Sequence, residues 1–136
     1  MAAIRSIDVV LDTGNDGTDG DVYLGICGRE FSIDSEANDF QAGTPPRTYT
    51  FGDGANINFR GSNDPREPYP LHTENLDRFP VYIRFAPENR SDNWDLDSVR
   101  VTVNPGPGEV RYQALVSTGH LLLGTHSGLY CYLFKL

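Results

Sequence analysis

Between Thr13 and Gly28 the chain reads TGNDGTDGDVYLGICG, and the first half of that run sets Asp16, Asp19 and Asp21 among Gly14, Gly17, Gly20 and Asn15. Carboxylates interleaved with glycine and asparagine are what a hard cation such as Ca²⁺ wants, since it takes six to eight oxygens from side chains and from the carbonyls of a tight turn. The spacing is not that of an EF-hand, because no glutamate closes the loop, and a single GNDGTDGD run is not a repeating calcium β-helix. Asn-Asp-Gly and Asp-Gly are also ordinary turn formers, so the run by itself predicts a turn with the chemistry of a cation site. The run suits a phosphate cradle poorly: the glycines lead into a strand-like segment and stand among carboxylates that repel phosphate.

Motifs for catalysis are missing. Thr125-His126-Ser127-Gly128-Leu129 lacks the flanking glycines of a nucleophile elbow, and neither HExxH nor a P-loop pattern occurs. His72, His120 and His126 are ordinary histidine usage and read as surface or turn residues, so the chain reads as non-catalytic.

The charge is distributed unevenly. Of a net −8, residues 1–40 carry −7, from nine acidic residues against Arg5 and Arg29. A one-sided negative field with no basic stripe attracts cations and argues against a nucleic-acid partner. No apolar run is long enough to span a membrane, and Asp8 interrupts any secretory core, so the reading is a soluble chain with no visible signal peptide and no assigned compartment. Cys27 and Cys131 sit in apolar strand-like runs, where buried free thiols are expected.

The elements that must position the acidic run have a period of two. Strands are expected at Ile4 to Leu11, Asp21 to Cys27, Arg29 to Ile33, Arg47 to Phe51, Val81 to Phe85, Ser98 to Val103 and Val110 to Val116. Their inward residues would include Ile7, Val9, Leu11, Val22, Leu24, Ile26, Ile83, Phe85, Val99, Val101 and Val103. Residues 120–136 read as two further strands, Leu121 to Leu123 and Leu129 to Phe134, joined in a hairpin at His126-Ser127-Gly128. No amphipathic helix of useful length appears. Short strands without helical crossovers predict an all-β, antiparallel sandwich in a single domain spanning residues 1–136. Its one long connection is the proline-rich stretch at about 56–80.

Two more stretches extend the pattern. Asn38-Asp39-Phe40-Gln41-Ala42-Gly43 follows the third expected strand, and Asn93-Trp94-Asp95-Leu96-Asp97-Ser98-Val99-Arg100-Val101 precedes the end of the sixth. A first strand, TG…GTD…VYLGICG, NDF.xG and W.L..V.V, in that order, resembles the PLAT or lipoxygenase-homology domain over the first fifty residues and Val81 to Val103. The resemblance implies an antiparallel sandwich of about eight strands whose loops at one end bind Ca²⁺ and then approach membrane lipid or a separate protein. By position, Gly17 would offer a carbonyl and Asp19 a carboxylate, faced by Asn38, Asp39 and Gln41, with Asp16 and Thr18 adjacent and Asp92 at a position that serves a further ion in some members. Gln41 stands where many members have glutamate, which implies a weaker site because affinity follows ligand charge. Trp94 is expected in the core. Phe59, Tyr69 and Leu71 are the candidates for membrane or partner contact.

Two other functions compete on sequence grounds. A glycan-binding sandwich would stack sugars on exposed tyrosines such as Tyr69 or Tyr82. A structural or assembly protein would present its sheet edge or its apolar C-terminal strand, LYCYLFKL, to other subunits, a long apolar strand at a free edge being an association hazard.

Overall fold

The computed structural model describes residues 2–114 and 120–136. Nine strands form in chain order: β1 Ser6–Thr13, β2 Asp21–Ile26, β3 Arg29–Ser32, β4 Arg47–Gly52, β5 Tyr82–Ala86, β6 Asn93–Val103, β7 Val110–Ala114, β8 Leu121–Gly124 and β9 Tyr130–Lys135. Every expected strand is present within about two residues at its ends, except that β6 begins five residues earlier than the apolar alternation suggests. Of the expected strand Val110 to Val116, residues 115–116 lie outside the described residues. Among those described there is no α-helix, only a 3₁₀ turn at Thr73–Asn75, and no helix long and apolar enough to cross a membrane.

All pairings are antiparallel, and the strands run β3-β2-β5-β9-β7-β6-β1-β4, with β8 added to β6. The eleven residues of β6 serve three neighbours: β1 along one side, and on the other β8 at Asn93–Leu96 and β7 at Arg100–Val103. The sheet curls into a half-barrel. Its first and last strands in that order approach each other, so that Phe31 of β3 packs on Phe51 of β4 with ring centroids 5.5 Å apart.

Alternation places the core where the sequence expects it. Ile7, Val9 and Leu11 of β1, Val22, Leu24 and Ile26 of β2, and Val99, Val101 and Val103 of β6 are all buried. Trp94 is 0% exposed, packs against Phe40 and Phe85 at 5.5 and 5.8 Å, and donates its Nε1–H to Thr13 Oγ1 at 2.9 Å. Cys27 and Cys131 are both buried free thiols; burial lifts the Cys27 thiol to about 11, which keeps it protonated and unreactive.

Two expectations are corrected. The turn at 124–128 forms, with an isolated bridge between Gly124 and Gly128, but β8 and β9 are not a hairpin: β8 pairs with β6, whereas β9 pairs with β5 and β7. Strand β9 therefore lies inside the sheet with its backbone bonded on both sides, and LYCYLFKL is not a free edge. Among the described residues β3, β4 and β8 each pair with a single neighbouring strand. The long connection after β4 is also pinned to the sheet. Asn58 N–H donates to Asp34 O, Asn63 Oδ1 accepts from Ser32 N, Arg29 reaches Asp64 O and Glu67 O, and Ile4 N–H donates to Leu71 O.

A candidate cation site at the acidic end

Antiparallel pairing gathers the acidic run, the 33–46 connection and the 87–92 connection at one end of the sheet, because β1, β3 and β5 end there and β2, β4 and β6 begin there. The first two touch directly. Thr18 N–H donates to Phe40 O at 2.9 Å, and Gly17 lies so close to the second loop that a Cβ there would come within 2.7 Å of Phe40 O. Glycine is required at 17 by this approach of two backbones. Phe40 itself takes a left-handed conformation, φ 60°, which is costly for a bulky side chain. Its buried ring, packed edge-on against Trp94 and tilted against Tyr49, holds it there.

This turn aims three oxygens at one point. Thr18 O, Asp39 O and Asp19 Oδ1 surround the Gln41 amide, whose Nε2 donates to them at 3.2, 3.1 and 2.9 Å. Two carbonyls and a carboxylate from separate loops are the donor set of an oxygen-ligated cation. Here a neutral N–H₂ stands in the cation's place. Turning the amide over would present Oε1 as a fourth oxygen, and Asp19 would be the one charged ligand. The crevice beside this point, about 340 Å³, is lined by Gly17, Thr18, Asp19, Gln41, Glu88 and Asp92.

The other sequence candidates divide. Asp39 contributes its carbonyl only: its carboxylate is buried and taken up by Ser35 N and Oγ at 2.8 and 2.6 Å, Arg47 at 3.0 Å and Tyr49 Oη at 2.9 Å. That bond and burial push the Tyr49 hydroxyl far up, burial being the larger cause. Asn38 is exposed, and its carbonyl meets Arg47 at 3.5 Å. Asp92 is a staple between loops, accepting Thr18 Oγ1 at 2.7 Å and Glu88 N at 2.9 Å. Asp16 is exposed, and its carbonyl accepts Asp95 N at 2.8 Å. Of the contact candidates, Phe59 is 75% exposed on the rim of a cleft shared with Ser35, Glu36 and Arg60. Tyr69 is exposed and Leu71 packs on the core, both toward the opposite end of the sheet where Ile4 lies.

A second cluster was not legible as a site. Asp95 and Asp97 of β6 and His120 bring one ligand atom each within 4.8 Å of the others, graded from buried to exposed, and together could hold a metal ion. His120 Nδ1 lies 2.7 Å from Asp97 Oδ1 and 3.4 Å from Asp95 Oδ2. The hydrogen bond to Asp97 and the two negative charges raise the His120 imidazole. The available signal was Asp-x-Asp on a strand, whose period of two puts both carboxylates on one face; His120 arrives from 23 residues away, which no local pattern indicates.

Neither a family model nor a curated protein matches the chain. What the acidic end can do therefore follows from its own geometry.

Proposed function

We propose that the chain is a non-catalytic β-sandwich module of the PLAT type, whose acidic loop end takes up Ca²⁺ weakly and mediates peripheral contact with membrane lipid or a separate protein. The observation that carries this is the convergence of Thr18 O, Asp39 O and Asp19 Oδ1 on Gln41. One carboxylate among neutral oxygens suits affinities near the millimolar range of extracellular modules rather than those of cytosolic sensors. A bound Ca²⁺ would offset part of the −7 carried by residues 1–40, and so let this end approach an anionic surface. Phe59 and Arg60, on the rim of the neighbouring cleft, supply an apolar and a cationic contact for that approach.

The test is a calorimetric titration of Ca²⁺ into chelator-stripped protein with Asp19→Asn alongside, followed by co-sedimentation with phosphatidylcholine vesicles with and without phosphatidylserine. Saturable heat lost in Asp19→Asn, and calcium-dependent pelleting reduced in Phe59→Ala, support the module. Absence of heat at several millimolar Ca²⁺ would remove calcium from the reading.

One observation favours a glycan ligand as the second reading. The Tyr82 ring lies over Gly25, where any Cβ would collide with it, and packs against the exposed rings of Tyr130 and Tyr132 at 5.3 and 6.2 Å. Such an aromatic patch suits sugar stacking, and a glycan array with Tyr132→Ala as control separates it from the lipid reading.

A further inference from the structure

We propose that Asp95, Asp97 and His120 form a second, chemically distinct metal site, one for a nitrogen-accepting divalent transition metal of the Zn²⁺ class rather than for Ca²⁺. The residues are independent of Asp19 and Gln41, so this site stands or falls apart from the calcium reading.

The convergence is enforced by the backbone. Gly14 sits beneath the two carboxylates, and a Cβ there would strike both Asp95 Oδ2 and Asp97 Oδ1. The loop is held in that position by Gly14 N–H donating to Asp95 O at 2.9 Å and by Asp95 N–H donating to Asp16 O at 2.8 Å. Asn15 N–H reaches Asp95 Oδ2 at 3.1 Å. Two anionic oxygens are thus directed at one small space.

An independent feature is that the Asp95 carboxylate is only half satisfied, Oδ2 meeting His120 Nδ1 and Asn15 N–H. Asp95 is only 9% exposed, and its Oδ1 is buried with no hydrogen-bond partner, an arrangement that costs free energy for a carboxylate. Among the described residues the ion pairs of Arg47, Arg66, Arg84, Arg111 and Lys135 all go to other carboxylates, and Asp95 and Asp97 pair with His120 itself. A divalent ion held at Asp95 Oδ2 would add charge compensation to a carboxylate whose other oxygen has no hydrogen-bond partner.

Ligand type selects the metal. An imidazole nitrogen with two carboxylates suits Zn²⁺ and its neighbours, whereas Ca²⁺ prefers oxygen throughout. Tetrahedral Zn²⁺ with bonds near 2.0–2.1 Å sets its ligand atoms about 3.3 Å apart. The His120 Nδ1 to Asp95 Oδ2 separation of 3.4 Å already meets this, and the 2.7 Å from Nδ1 to Asp97 Oδ1 must open by about half an ångström. Three protein ligands leave a fourth position for water. The ion would tie the Gly14 loop, β6 and the residue preceding β8 together.

The experiment titrates ZnCl₂, and separately CaCl₂, into the chelator-stripped full chain at neutral pH by calorimetry, using wild type, Asp97→Asn and His120→Gln. Melting in chelator confirms that each variant folds; should Asp97→Asn not fold, His120→Gln, at an exposed position, still decides. The expected result is one saturable Zn²⁺ site weakened at least about tenfold by either substitution, with Ca²⁺ heat unchanged by His120→Gln. Zn²⁺ affinity equal in wild type and His120→Gln, or no saturation by about 1 mM Zn²⁺, overturns the proposal; the first would place the ion elsewhere, as at His72, His126 or the cysteines.

Discussion

Replacing Gln41 with glutamate exchanges the amide that satisfies three oxygens for a carboxylate that confronts them. In the wild type the two amide hydrogens are shared among Asp19 Oδ1, Asp39 O and Thr18 O at 2.9, 3.1 and 3.2 Å. Without a cation, Gln41→Glu loses about two hydrogen bonds, one to a charged acceptor, worth together about 2 kcal/mol. It also sets a second carboxylate against exposed Asp19, adding about 1 kcal/mol of repulsion at solvent-like dielectric. A total near 3 kcal/mol lowers Tm by about 10 °C in chelator for a domain of this size. Calcium reverses the sign of both effects, because the same carboxylate becomes a second charged ligand. If the variant binds with Kd of about 0.1 mM, 10 mM Ca²⁺ returns about 2.7 kcal/mol, whereas a wild-type site of about 1 mM gains only about 1.4 kcal/mol. Scanning fluorimetry with chelator and with 10 mM Ca²⁺ therefore should show a large calcium shift in Gln41→Glu and a small one in wild type. A variant as stable as wild type in chelator, with no larger calcium response, would mean that Gln41 does not occupy the meeting point of those oxygens, and the argument for the site would fail.

Two further outcomes check the fold that positions this end. Thr13→Val keeps the volume of a buried side chain but leaves Trp94 Nε1 without its acceptor, which should cost about 2 kcal/mol; urea unfolding followed by the single tryptophan measures it, and an unchanged midpoint would deny the bond. Glu30 is held below its ordinary 4.5 mainly by its hydrogen bond to Arg84, then by Tyr82 and the Arg84 charge. A depressed folded value stabilises the protein above pH 4.5 and loses that contribution as pH falls through the folded value. Carboxyl-detected NMR should find Glu30 titrating below 4.5 in wild type and closer to it in Arg84→Gln, and equal midpoints would contradict the pairing.

Alternation made most of the fold legible, since a period of two with β-branched residues states both the strand and its inward face. Partner choice was less legible. His126-Ser127-Gly128 signals a turn, but whether its flanks pair with each other depends on which strands already offer open edges: β8 continues the side of β6 that β7 leaves free, and β9 fills the gap between β5 and β7. The acidic end shows the same division between local and distant information. Gly17, Asp19 and Gln41 could be singled out only through the resemblance to the PLAT pattern, because glycine, aspartate and amide side chains are equally ordinary turn residues. Asp39 was recognisable by type, yet the role of its carboxylate is set by Tyr49 and Arg47, which reach it from β4 and turn it from a ligand into an internal staple. Asp95 is the reverse case, a polar position in a strand until the Gly14 loop closes over it and His120 arrives. A carboxylate becomes a cation ligand only where nothing in the chain already neutralises it. By that criterion Asp39 is spent, while Asp19 is half engaged by Gln41 and Asp95 is half engaged by His120 and Asn15, its Oδ1 buried with no hydrogen-bond partner.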